Sequence, residues 1–327
     1  MQSLLSLLIF LPFVALVVVA NLGEQRPWAR YTTYALLVLT DLALLGVAAL
    51  ALLTELVMRL APEAMPAQGL SPSWPAAAAV CTVTALLAAL PLVPAVRRWI
   101  ARILPIDPES IVHMTVLAFA VYEVGLSLGQ MALIGDLANL AQTGMSLSIW
   151  DVLLSGLPLL LFAVLGVGLF MRRSGVQVLE RLGLRVPNWR QLLLAVGLVG
   201  VLLAFDFGVN SAWERLDPAG YDSLKQVTDQ LFGGLMTVGG AIVLGLSAGI
   251  SEEMLFRGAV QPRLGLLLAA GLFAIGHLQY GLTVATLEVF VIGLVLGLVR
   301  NRTNTTTAIL IHAGYNMAGV LLGLLKP

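Results

Sequence analysis

The chain has 327 residues, 59% of them hydrophobic and 11% charged, with 18 basic residues matched by 18 acidic ones. A soluble domain is about a quarter charged, so this composition excludes a water-soluble globule, and zero net charge gives no case for a nucleic-acid partner. The single cysteine, Cys81, excludes an internal disulfide and a cysteine-based zinc site.

The apolar residues fall into runs long enough to cross a ~30 Å hydrocarbon core as helices. Lipid offers backbone amides no partners, so such runs must be helices or a closed barrel. Strand-like alternation is missing, which predicts an all-α, polytopic transmembrane helix bundle. The first run, from Leu4 to Ala20, has no basic segment before it and ends in a poor cleavage site, so it reads as a retained helix rather than a signal peptide. Ten spans are expected, at about 3–22, 33–54, 75–95, 111–134, 150–171, 191–209, 232–251, 265–281, 284–299 and 306–324. The Pro-containing stretches at 62–75 and 104–108 read as connections. The polar segment with Trp213, Glu214, Asp217, Pro218, Tyr221, Asp222 and Lys225 is expected to be a surface helix or loop.

Basic residues test this layout, because cytoplasmic loops are rich in Lys and Arg. Alternate loops hold fourteen of the eighteen, from Arg26 and Arg30 to Arg300 and Arg302, leaving Arg59, Arg215, Lys225 and Lys326 opposite. The expectation is an integral, multi-pass protein of a bacterial-type plasma (inner) membrane with both termini outside. Residues 1–190 are mostly bland N-terminal spans, and residues 191–327 hold the chemistry, concentrated in 232–324.

Ionisable groups inside spans are costly and mark function. Three segments stand out: Glu252-Glu253 with Arg257, Phe273 with His277, and His312 with Asn316. Glu253 and Arg257 are four apart and can pair on one helix face, as can His312 and Asn316. Glu252 is rotated about 100° from Glu253 and is free to face a cavity. In order and spacing these segments resemble the CAAX prenyl protease and bacteriocin-processing (CPBP) family of intramembrane proteases, also called the type II CAAX prenyl endopeptidase or abortive-infection family. Its pattern is EExxxR, then FxxxH, then HxxxN on separate helices.

The resemblance implies a C-terminal CPBP-like catalytic core that hydrolyses a peptide bond inside the membrane. Glu252 would activate water, assisted by His277, while His312 and Asn316 hold the oxyanion and Glu253 with Arg257 forms a supporting ion pair. Metal dependence is a fork. Either no cofactor is used, or Glu252, His277 and His312 supply three ligands to Zn²⁺ with water in the fourth position. The substrate would be a peptide or membrane protein, CAAX-like or otherwise, reached from the cytoplasmic side of the lipid bilayer.

Each residue also has a plainer reading. Glu253 and Arg257 alone suit a structural pair, a lone span His suits packing, and Asn316 suits an interhelical hydrogen bond. Glu123, with Ser127 and Gln130 on one face, suits a cavity wall or helix clamp. Glu288 is a second-layer candidate, and Asp41 and Asp206 are placed near span ends. The rivals to a peptidase are a non-catalytic scaffold or immunity protein of the same fold and a proton-coupled transporter. His277 lies 14 residues after Arg263, roughly 21 Å along a straight helix. It can meet Glu252 only if that helix starts late, tilts, or breaks near Gly271 or Gly276, and a surface-lying stretch at 258–265 is the expected solution.

Overall fold

The computed structural model describes residues 2–61, 72–134, 144, 146–278 and 281–325; residues 62–71 of the expected connection, and Lys326, lie outside the described residues. The elements are α-helices α1 (Gln2–Gly23), α2 (Pro27–Leu60), α3 (Trp74–Ala89), α4 (Pro94–Ile100), α5 (Ile111–Ile134), α6 (Ile149–Gly166), α7 (Gly175–Leu182), α8 (Trp189–Leu216), α9 (Pro218–Phe232), α10 (Val238–Glu253), α11 (Gln261–Ile275), α12 (Val284–Arg302) and α13 (Thr305–Gly323). The described residues form no strand. This is the all-α polytopic bundle that the apolar runs predict.

Helix starts follow local chemistry. Ser148, Ser174, Asn188 and Asn304 stand at the N-caps of α6, α7, α8 and α13, where their side-chain oxygens accept otherwise orphaned backbone N–H groups. The polar segment after α8 is helix α9, which buries Val227 and Leu231 against Ile134 and Phe232. Asp41 and Asp206 are not near span ends. Both lie well inside their helices, and each is met by a hydroxyl donor that lowers the cost of burial: Tyr122 to Asp41 at 2.7 Å and Tyr315 to Asp206 at 3.3 Å.

Each expected span coincides with a helix, but the count of ten is approximate. Among the described residues, seven stretches are long and apolar enough to cross a bilayer, and one of them, Val238–Ile275, joins the expected seventh and eighth spans. A π-helical turn, Met254–Val260, links α10 to α11 there. Its cause is legible. Pro262 has no N–H to give the carbonyl of Gly258 four residues earlier, and Arg181 of α7 donates to that carbonyl instead, at 3.0 Å. The expected surface-lying stretch at 258–265 is not on the surface: Gly258, Gln261 and Leu264 are buried. The break comes at Gly265, not at Gly271 or Gly276, with φ 79° and ψ 173°, a conformation essentially confined to glycine. A Cβ at Gly265 would meet nothing within 4 Å, so the cost of a side chain is conformational alone. Gly265→Ala is expected to lower unfolding stability by about 1–3 kcal/mol, read as a drop in melting temperature; an unshifted melt would show that the turn relaxes freely.

The arginine-bearing turns gather at one end of the bundle. Arg172 donates to Asn21 Oδ1 at 2.6 and 3.0 Å, Arg30 to the Glu109 carbonyl at 2.7 Å, and Ser110 to Glu24 at 2.5 Å. Thr305 donates to the Leu182 carbonyl at 2.6 Å, tying the start of α13 to the end of α7.

Candidate active site

Glu252 and Glu253 end α10, and being neighbours on a helix they point in different directions. Glu253 turns inward, its side chain fully buried, and its Oε1 lies 3.0 Å from Arg257 Nη1 and 2.9 Å from His312 Nδ1. The Arg257 contact lies outside hydrogen-bond angles, so that attraction is coulombic. Glu252 turns the other way, and its Oε2 stands 3.7 Å from His277 Nε2. Side-chain exposures of 17% for Glu252 and 23% for His277, against 0% for Glu253 and 1% for Arg257, make the first pair the open one and the second the sealed one.

Close helix approach sets the sealed pair. A Cβ on Gly245 would fall 2.7 Å from the Ala313 carbonyl, and one on Gly249 2.9 Å from the Ala313 backbone. These two small residues, four apart on α10, let α13 come near enough for His312 to reach Glu253. Gly249→Ala is therefore expected to cost about 1–3 kcal/mol through overpacking and to lower any activity with it; native stability in a chemical-unfolding measurement would show that the helix pair has slack.

Phe273 ties the two pairs together. Its ring centroid lies 4.7 Å from that of His277 and 5.8 Å from that of His312, and the Arg257 guanidinium carbon sits 4.2 Å from the ring centre. The ring is 1% exposed, so the cation–π contact is made out of water, where it is strongest. His277 follows the end of α11, in a turn, with Nδ1 2.7 Å from the Phe273 carbonyl. A carbonyl only accepts, so Nδ1 carries the proton and Nε2 presents its lone pair towards Glu252 in the neutral ring. By the same reasoning, His312 donates from Nδ1 to Glu253. Asn316 is half-buried one turn beyond His312 on the same face of α13.

Several neighbours escaped the motif reading. Arg257 donates to the Gly293 carbonyl at 3.2 Å, and Gln261 to the Gly297 carbonyl and to Asn301 Oδ1 at 2.9 Å each, stitching the π-turn and α11 to α12. Their only sequence signal was a polar residue beside a span rich in glycine. Glu123 Oε1 comes within 3.2 Å of where a Cβ on Gly276 would stand, which puts α5 against the turn that carries His277. Glu288 stands apart, buried on α12, its Oε1 without a hydrogen-bond partner among the described residues.

Among the described residues, no group of three or more His, Cys, Asp and Glu side chains is placed to hold a metal ion; Glu252 stands beside His277, and His312 beside Glu253.

A family model described as "Type II CAAX prenyl endopeptidase Rce1-like" matches residues 234–318. Residues 234–318 are thus similar to that family, and the matched stretch is called the Rce1-like domain below. The Rce1-like domain runs from the turn before α10 into α13 and contains all seven motif residues. The family is a protease family. No curated protein and no solved structure matches the chain. Helices α6 and α7, outside the domain, nevertheless pack on it: Ser247 of α10 donates to the Val152 carbonyl at 3.0 Å, and Leu182 lies against Gly258.

Proposed function

We propose that the chain is an intramembrane endopeptidase in which Glu252 activates the attacking water. The observation that carries this reading is the open pair. Glu252 Oε2 is buried and accepts no hydrogen bond from the described residues, while His277 Nε2, a second acceptor, stands 3.7 Å away. Two acceptors converging on one point suit a water molecule, which donates twice.

The steps balance on these residues. Water oxygen attacks the carbonyl carbon of the peptide bond as Glu252 takes its proton. Negative charge then collects on the carbonyl oxygen, where Asn316 donates an amide N–H and His312 donates from Nε2. Donation from Nε2 requires the imidazolium form, because Nδ1 already donates to Glu253. Glu252 returns the proton to the departing amine nitrogen as the C–N bond breaks, with His277 orienting the transfer. The products are a carboxylic acid and an amine.

A membrane-associated or CAAX-like substrate fits the surroundings. A cleft of about 410 Å³ lined by Gly271, Ala274, Ile275, Leu282, Thr286 and Phe290 opens beside the His277 turn, and it suits an apolar segment. The arginine-rich end of the bundle is read as cytoplasmic, with substrate entering from that side.

The test is hydrolysis by the purified full chain in lipid, using a panel of membrane-anchored peptides that includes a prenylated CAAX peptide, run in ¹⁸O-labelled water. One ¹⁸O atom in the new carboxyl group of one product is the expected result. An intact panel would sink the proposal and favour a scaffold. Chelator treatment of the same preparation is expected to leave the rate unchanged; activity lost on chelation and regained on adding Zn²⁺ would overturn the metal-free assignment.

A further inference from the structure

A second charged centre lies outside the Rce1-like site. The segment between α6 and α7, together with α7, forms a cleft of about 470 Å³ lined by Arg172, Arg173, Gln177, Glu180 and Arg181. Arg263 from α11 and Arg300 from α12 come close enough for their charge to act on Arg181. Three guanidinium groups thus line the cleft, and two more, from α11 and α12, act on Arg181 from outside its lining. The carboxylates that offset them among the described residues are Glu180 in the cleft wall and Glu24 beside Arg172. Burial first, and then repulsion from Arg263, Arg173, Arg300 and Arg172, pushes the Arg181 guanidinium down to about 10. An anion in the cleft would offset this repulsion.

The surroundings say where that anion comes from. Phe170, Val176 and Leu179, on the same segment, are 88%, 67% and 50% exposed. Apolar side chains displayed around a basic cleft mark a segment that lies at the lipid–water boundary. Arginine forks match phosphate oxygens two at a time, and the cleft volume is within the range of small-ligand sites.

We propose that this cleft binds a phosphate group, that of an anionic lipid headgroup or a free phosphate, through Arg172, Arg173 and Arg181. The site also reaches the π-turn, since Arg181 donates to the Gly258 carbonyl that Pro262 leaves without a helical donor. An anion held by Arg181 therefore braces the segment that carries Arg257. The proposal does not depend on the chain being a peptidase.

The experiment uses the purified full chain in neutral detergent. Phosphatidylglycerol, phosphatidylcholine and inorganic phosphate are each titrated at constant ionic strength, while melting temperature and retained lipid by native mass spectrometry are followed. The expected result is a melting-temperature rise and retained lipid with phosphatidylglycerol but not phosphatidylcholine, with inorganic phosphate displacing the lipid. Arg172→Gln with Arg173→Gln is expected to weaken this binding by roughly fivefold for each arginine removed, and Arg172→Lys with Arg173→Lys to retain most of it. Saturable binding of inorganic phosphate without lipid preference would support the site with a soluble source. Equal response to both lipids with none to phosphate, or phosphatidylglycerol binding unchanged in the Gln variant, would overturn the proposal. Should the Gln variant not fold, displacement of lipid by phosphate on the wild-type chain decides the matter alone.

Discussion

Glu252→Gln is expected to lower kcat/KM by about 10²–10⁴-fold, the range for loss of a positioned general base, while leaving the fold intact. The two halves of this expectation come from one observation. Glu252 faces the open side of the site, and its Oε2 receives no hydrogen bond from the described residues, so glutamine removes the proton acceptor without stranding a partner among them. Its neighbour Glu253 is the contrast: it is fully buried and holds both Arg257 and His312, so Glu253→Gln should lose stability together with activity. Rates on a cleaved peptide, paired with thermal melts, separate the two variants. Wild-type cleavage by Glu252→Gln would remove Glu252 from the chemistry.

Arg257→Met is expected to give the largest loss of stability, about 3–5 kcal/mol, the cost of leaving a buried charge without its partner. The arginine is 1% exposed, pairs with Glu253, lies over the Phe273 ring and donates to Gly293. Methionine replaces the bulk but none of the charge. The double variant Glu253→Gln with Arg257→Met should recover part of the loss, because removing both members of a buried pair costs less than breaking it. Chemical unfolding of the three proteins in one detergent measures this. A double variant that loses at least the sum of the two singles would show that the ion pair is not what destabilises the single change.

The pairing of Glu253 with Arg257 was legible from their spacing, because residues four apart on a helix meet whatever surrounds them. The meeting of Glu252 with His277 was legible only as a requirement. It needed the chain to bend between α10 and α11, and Gly271 and Gly276 were the expected places. The bend fell at Gly265, after a π-turn set up by Pro262 and held open by Arg181. Pro262 was in plain view, but the donor that replaces its missing N–H comes from α7, about eighty positions earlier, and spacing along the chain carries no sign of it.

The same limit explains His312. Sequence order placed it in the site and assigned it to the oxyanion, yet its tie to Glu253 depends on how closely α13 approaches Gly245 and Gly249. Glycine pairs of that spacing are common enough in membrane helices that the pattern alone did not choose the partner helix.

By itself, the sequence determined the properties that follow from short-range physics: an α-helical bundle for a lipid solvent, the positions of most helices, the basic loops and the order and spacing of the seven motif residues. Hydropathy, capping and i,i+4 spacing act within a turn or two, so they can be read along the chain. The tertiary structure alone decided which carboxylate faces which imidazole, where the joined span bends, and that the charges of Arg263 and Arg300 reach the arginine cleft beside α7. Those outcomes depend on helix contacts between residues tens to hundreds of positions apart, whose geometry no local pattern encodes.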